Sequence, residues 1–395
     1  MAARLYVFAS GQNEPAAVFD QTGDERAALT YLQEPALPLS LSLRFGGSFG
    51  EEKPFAYLDN LLPDNLEVRE RLAGISGVGN DTFSLLSVLG EDVAGRFSLS
   101  PDPLMPERDP VPVLAATEDD IAYRIATLRR DPAAPPARAI VPRWSLAGQQ
   151  AKFSLARVGN EWFWSTFEVP STHILKPTSN AYPGADLAEK ACLDLAGQLG
   201  LPASESEILE FRGERVFAVK RWDRAGGLRL HAEDLVQSLG LPTYDKYSVA
   251  AQDVIGVLRE YGQVWEFVRQ LAFNTAIGNF DAHGKNYSVL LFAADTVRLA
   301  PIYDALPIFL WPKVRQLYAM DIGGQFSPER FRESDWVVLA ERAGLDASRL
   351  LDEIRPVFAG VQELLPDAIQ EAGLPGEAVD AAGRFVKPLA QTRAG

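Results

Sequence analysis

The segment Gly278-Asn279-Phe280-Asp281-Ala282-His283-Gly284-Lys285-Asn286-Tyr287-Ser288 sets an Asp five residues ahead of an Asn in a polar turn. Those residue types at that spacing suit phosphoryl transfer: the Asp accepts or orients the proton of an attacking hydroxyl, and the Asn supplies an oxygen to Mg²⁺. A second Asp is then needed for the metal, and Asp304, in Ile302-Tyr303-Asp304, lies eighteen residues beyond Asn286. The interval reads as a hairpin, with a β-prone run over 287–292, a turn over 293–296 and a return over Val297–Leu299. Taken alone, Asp-x4-Asn is also what an ordinary turn contains, because both side chains bond their own backbone. The helical run over 264–277 that enters the loop, the strand that leaves it and the Tyr-Asp at the hairpin's end set this pair apart.

The elements that must position these residues form a mixed frame. Residues 1–100 combine β-like runs at 5–8 and 39–45 with helical patterns over 60–72 and Thr82–Leu89. Pro-rich stretches at 101–112 and 131–142 flank a helix predicted over Glu118–Arg130, opened by Thr117 as its cap. Aromatic and β-branched residues over 153–176 predict strands, 186–199 has helical period, and 211–221 reads as a hairpin pair. Beyond Glu233 nearly everything except the catalytic hairpin reads as helix. An α+β class follows, with a mixed, β-rich N-terminal region and a mostly helical C-terminal lobe, as in protein kinases.

Seven segments in order resemble the HipA-type serine/threonine kinases, the toxin components of bacterial HipA/HipB toxin-antitoxin modules. They are Phe55-Ala56-Tyr57-Leu58-Asp59-Asn60-Leu61-Leu62-Pro63-Asp64, Ser145-Leu146-Ala147-Gly148-Gln149-Gln150-Ala151-Lys152, Thr172-His173-Ile174-Leu175-Lys176-Pro177, Val219-Lys220-Arg221-Trp222-Asp223-Arg224, Leu230-His231-Ala232-Glu233-Asp234-Leu235-Val236-Gln237, the Asp281 loop, and Ile302-Tyr303-Asp304. The resemblance implies a HipA N-terminal-like subdomain at 1–112, a kinase N-lobe-like ATP-binding region at 138–225, and a helical C-lobe at 226–395 that carries the catalytic and metal loops.

It also implies ATP and Mg²⁺ as cofactors and assigns roles. Asp281 is the general base or hydroxyl-orienting residue, and Asn286 and Asp304 are the metal ligands. Lys176 clamps the α- and β-phosphates, with Glu189 as its possible partner. Gly148, Gln149, Gln150 and Lys152 belong to a phosphate loop that lacks the G-x-G-x-x-G pattern, so its backbone N–H groups would have to form a nest. Lys220 and Trp222 lie in the hinge-like segment beside adenine, and His283 and Lys285 are cations for the γ-phosphate. Relatives commonly phosphorylate the serine directly before the loop glycine; that position is Ala147 here, which leaves Ser145 as the possible autophosphorylation site.

The implied protein substrate is a component of translation such as an aminoacyl-tRNA synthetase, and the implied partner is a small HipB-like helix-turn-helix antitoxin. Two other readings stay open. One is a small-molecule kinase of the aminoglycoside or choline kind, which usually carries His two residues before the Asp where this chain has Asn279, and which lacks a counterpart of the 55–64 segment. The other is a kinase-like, non-catalytic binding module, against which the intact Asp281, Asn286, Asp304 and Lys176 argue.

Composition narrows the classes. The 395 residues are 47% hydrophobic and 23% charged, enough for two or three packed units. A net charge of −15 repels phosphate backbones, so DNA would be reached only through the partner. The single Cys192 excludes an intramolecular disulfide framework and fits a reducing cytoplasm. With three His residues and no Cys near them, zinc finds little support. No export signal or membrane-spanning apolar run is read, and a cytoplasmic location away from the membrane is expected.

Overall fold

Leu5 and Val7 share one face of β1 (Arg4–Ala9) and enter the core of the first sheet, while Phe8, equally buried, lies on the strand's other face. The computed structural model describes residues 3–10, 12–104, 114–134, 148, 150–165 and 169–387. The chain divides into two compact units. One comprises Met1–Pro177, Leu209–Tyr244 and Leu290–Thr296, the other Thr178–Ile208, Asp245–Val289 and Val297–Gly395.

In the first unit, β1, β2 (Ala17–Gly23), β3 (Arg26–Tyr31) and β4 (Phe97–Ser100) make a sheet in the order β3-β2-β1-β4. Helices α1 (Glu52–Asp59), α2 (Leu66–Ser76) and α3 (Thr82–Leu89) contribute Tyr57, Leu58, Leu72, Phe83 and Leu86 to the same core. The helical pattern read over 60–72 therefore begins in the turn after α1 and holds only from Leu66. Pro63 disfavours a helical backbone at the residue before it, and Asn65 restarts the helix by accepting the N–H groups of Glu67 and Val68 at 2.9 and 3.4 Å.

The run at 39–45 is no strand. Leu39 and Leu43 enter the core, but the serines between them bond locally: Ser42 N–H to Ser40 Oγ at 3.1 Å, and Ser42 Oγ to the Gln237 carbonyl at 2.7 Å. Such hydroxyl bonds offer the backbone an alternative to a sheet ladder. Beside them Glu233, 2% exposed and just ahead of the short helix α6 (Leu235–Leu239), accepts Leu41 N–H and Ser238 Oγ–H, each at 2.9 Å. Burial pushes its carboxyl up to about 7 from 4.5, against the pull of those hydrogen bonds.

A carboxyl raised in the folded state favours folding while it is protonated. Its contribution is fully present below the unfolded value near 4.5 and is lost as pH rises through about 7. Glu233→Gln, which cannot ionise, should therefore gain about 3 kcal/mol on wild type between pH 4.5 and 8. Urea unfolding of both proteins across that range measures it, and parallel stability curves would refute it.

A second sheet, in the order β6-β5-β7-β9-β8, contains β5 (Phe153–Val158), β6 (Glu161–Trp164), β7 (His173–Pro177), β8 (Ser206–Phe211) and β9 (Glu214–Lys220). Helix α4 (Glu118–Arg130) opens with a capping box in which Thr117 Oγ1 accepts Asp120 N–H. Its Ile121 and Ile125 pack with Phe153, Leu155 and Leu175. The hairpin expected at 211–221 begins earlier, at Ser206. Phe211 ends its first strand, and Arg212 and Gly213 turn at φ +50° and +82°.

The second unit is built on α10 (Ala347–Glu371), whose Leu350, Ile354, Val357, Val361, Leu365 and Ile369 form one apolar stripe at intervals of three and four. Around it pack α5 (Ala185–Gln198), α8 (Val264–Ala276), α9 (Glu333–Ala343) and α11 (Gly376–Val386), while α7 (Ala251–Arg259) packs on α8 and α9. The helical expectation fails over 300–332, where the described structure has only the single turn Ile308–Leu310. Pro301, Pro307, Pro312 and Pro328, with Gly323-Gly324, break any helix there.

Candidate active site

Helix α8 is buried nearly all round, and its end sets the loop that follows. Gly278, at φ +68°, lets Asn279 N–H return to the Asn274 carbonyl at 2.9 Å and Gly278 N–H to that of Thr275 at 3.1 Å. These are the paired bonds of a Schellman cap. A Cβ on Gly278 would lie 2.7 Å from Phe385 and 2.8 Å from Phe309, so packing as well as backbone angle demands glycine. Phe385, from α11, stacks on Phe309 at 4.3 Å and meets Phe280 at 6.0 Å, an aromatic floor directly ahead of Asp281.

The loop and the Tyr303-Asp304 segment are tied together at several points. Asn286 Nδ2 donates to Asp304 Oδ2 at 3.0 Å. The Tyr303 hydroxyl donates to the Lys285 carbonyl at 2.6 Å and lies 2.6 Å from Ser288 Oγ. Asn279 Nδ2 donates both to Asn274 Oδ1 at 2.8 Å and to the Asp304 carbonyl at 3.0 Å. The hairpin closes through Ala300 N–H to the Ser288 carbonyl at 2.8 Å, as its alternation requires. Asp304 has φ +55°; the other described non-glycine residues with positive φ, Glu25, Arg212, Ala294 and Asp295, lie in hairpin turns. Strain held by surrounding bonds rather than by a turn is a mark of functional backbone.

His283, Lys285 and Asn286 are buried at 8%, 8% and 7% exposure, whereas Asp281 between α8 and this turn is exposed. Asp281 Oδ1 accepts the Tyr247 hydroxyl at 2.8 Å, and the Tyr247 ring meets His283 edge-on at 4.9 Å. Asp281, Asn286 and Asp304 are thus gathered on one short hairpin and its flanks. The oxygens of Asn286 and Asp304 are hard donors suited to Mg²⁺. Among the described residues no group of three or more His, Cys, Asp and Glu could hold a metal ion, so the ion's remaining positions would fall to phosphate and water.

In the first unit, Lys176 lies on β7, paired in register with Phe217, with its ammonium 5.7 Å from that ring. It is 7% exposed, which is costly for a lysine and unlike a solvated strand end. Gly148, at φ +99°, donates its N–H to Asp64 Oδ1 at 3.3 Å and bridges Pro63. A Cβ there would meet Lys152 Nζ at 2.7 Å, so the glycine lets that ammonium approach the backbone. Gln150 and Lys220 are exposed and Trp222 is half-buried in the turn after β9. Glu189, in the second unit, is 2% exposed on α5. Ser145, Ala147 and Gln149 lie outside the described residues.

A family model for the HipA-like C-terminal domain matches residues 144–364, and one for the HipA N-terminal domain matches residues 6–100. The chain belongs to the HipA family. This HipA-family chain is 32% identical over 335 residues to protein Y4mE of Sinorhizobium fredii, covering 79% of this chain and 78% of that one. It is 26% identical over 382 residues to the serine/threonine-protein kinase toxin HipA of Shewanella oneidensis, covering 89% and 86% of the two chains. HipA in the solved complex of the Shewanella oneidensis toxin-antitoxin system, HipA and HipB with operator DNA, matches with a TM-score of 0.80 at 23% identity, over 98% of this chain and 96% of that one. The mixed α+β fold is therefore that of HipA, a kinase-like fold, as the sequence led us to expect. No helix among the described residues is long and apolar enough to cross a membrane.

For this HipA-family chain the geometry adds residues that sequence reading passed over. Asn279 holds the Asp304 backbone, Tyr303 holds that of Lys285, and Asp64 holds that of Gly148. In the sequence, Asn279 is marked only by standing where small-molecule kinases usually place His. The adjacency of Tyr303 to Asp304, and of Asp64 to a Leu-Leu-Pro turn, were the signals available in the sequence.

Proposed function

We propose that this chain is an ATP- and Mg²⁺-dependent serine/threonine protein kinase and the toxin of a bacterial toxin-antitoxin pair. The observation that carries the reading is the bond from Asn286 to Asp304 beside the loop that carries Asp281, with the strained Asp304 backbone held by Asn279. Asp281 orients the acceptor hydroxyl and takes its proton. Asn286 and Asp304 hold Mg²⁺, which when bound neutralises charge on the phosphates. Lys176 clamps the α- and β-phosphates, and Gly148, Gln149, Gln150 and Lys152 form the phosphate loop. Lys220 and Trp222 line the adenine, and His283 and Lys285 add positive charge at the γ-phosphate.

The acceptor is a protein of the translation apparatus, such as an aminoacyl-tRNA synthetase. The partner is a HipB-like helix-turn-helix antitoxin; HipA of Shewanella oneidensis is found with HipB and operator DNA. A chain of net charge −15 would meet that DNA through the partner. Asn279, whose amide supports Asp304, stands where small-molecule kinases usually carry His, and this departure from their pattern counts against the small-molecule reading.

The purified chain, given γ-labelled ATP and Mg²⁺, should label serine or threonine in ribosome-free extract proteins. Label on kanamycin or choline and not on protein would install the small-molecule reading. No transfer to any acceptor would leave a binding module.

A further inference from the structure

Tyr247 closes the short turn Thr243–Tyr247 ahead of α7. It is 47% exposed, yet its hydroxyl is committed to Asp281 Oδ1 at 2.8 Å. The ring meets His283 edge-on, with centroids 4.9 Å apart and planes at 85°, and Lys246 Nζ lies 5.3 Å from its centroid. An imidazole two residues beyond Asp281 and the neighbouring ammonium thus fix the phenol that reaches Asp281.

We infer that Tyr247 is a positioning residue for phosphoryl transfer, its hydroxyl holding one oxygen of Asp281 so that the other faces the acceptor hydroxyl. The inference rests on the reading of Asp281 as the hydroxyl-orienting group. The terminal torsion of an aspartate is broad, so the orientation of an exposed carboxylate such as that of Asp281 is set by the groups that bond it, and the Tyr247 hydroxyl bonds it directly. Productive geometry tolerates only about 10–20° of error. A hydrogen bond to an ionised acceptor is among the stronger ones available to fix that torsion. Tyr247 would touch neither the transferred group nor the nucleotide; it acts through Asp281.

The test uses the full chain with Mg²⁺ and γ-labelled ATP, reading label in the chain itself and in α-casein together with free phosphate, for wild type, Tyr247→Phe, Tyr247→Ala and Asp281→Asn. Tyr247→Phe keeps the ring on His283 and removes only the donor. Its turnover should fall about tenfold, with KM for ATP and melting temperature unchanged, and Tyr247→Ala should fall to a similar level. Wild-type turnover in Tyr247→Phe with a loss only in Tyr247→Ala would overturn the inference in favour of ring packing. Faster turnover in Tyr247→Phe would overturn it too, since the hydroxyl would then be competing with the acceptor. An active Asp281→Asn, or a wild type that transfers no phosphate, would remove the underlying reading. An inactive Asp281→Asn beside an unchanged Tyr247→Phe would leave that reading standing and sink this inference alone.

Discussion

Asp281→Asn should lower phosphoryl transfer by at least about 10²-fold and leave the melting temperature within a few degrees of wild type. Positioned acid-base groups contribute roughly 10²–10⁴-fold, and the amide that replaces the carboxylate keeps its shape while losing its basicity. The structure gives two reasons why stability should survive. Asp281 is exposed, so no buried charge is exchanged, and its side-chain bond to Tyr247 can be kept by the amide oxygen. The loop is held from elsewhere, by the Gly278 cap, the Phe280 contacts and the Asn279 amide. A labelled-ATP assay beside a thermal melt decides it. Activity within about tenfold of wild type would remove Asp281 from the chemistry, and a collapsed melt would show that the residue carries the loop.

The hairpin of the candidate site was legible because its signals are local. Val297–Leu299 returned as a strand with the bounds expected, and the expected entry helix and outgoing strand came within a residue or two. The capped helix Glu118–Arg130 is the same kind of case: a threonine, acidic residues in the first turn and an apolar period decide it within thirteen residues. What stayed hidden depends on distant partners. Leu39 and Leu43 carry a strand's alternation, yet Ser40 and Ser42 bond near Gln237, almost two hundred residues away in sequence. Asn279 looks like any loop amide until its partners Asn274 and the Asp304 carbonyl are seen together. The burial of Lys176 also lies beyond sequence reading, since a lysine at a strand end usually faces water.

Asp304→Ala should abolish Mg²⁺-dependent nucleotide binding and reduce transfer by roughly 10²–10³-fold, since metal stabilisation of phosphoryl charge is worth several kcal/mol. With Asn286 and Asp304 as its protein ligands, the ion would bind weakly until phosphate oxygens and water complete its octahedron. Calorimetry of wild type should therefore show tight ATP binding only with Mg²⁺, and the variant should bind ATP equally, and poorly, with or without it. Backbone geometry adds a second readout. Asp tolerates φ +55° better than Ala does, so Asp304→Ala adds strain of about 1 kcal/mol, whereas Asp304→Gly relieves it. Both variants keep the backbone carbonyl that Asn279 grips. Asp304→Gly should then melt above Asp304→Ala and be just as inactive, which separates loss of the ligand from loss of the fold. Full activity in the glycine variant would show that this position serves the turn, and equal ATP affinity of wild type with and without Mg²⁺ would place the metal elsewhere.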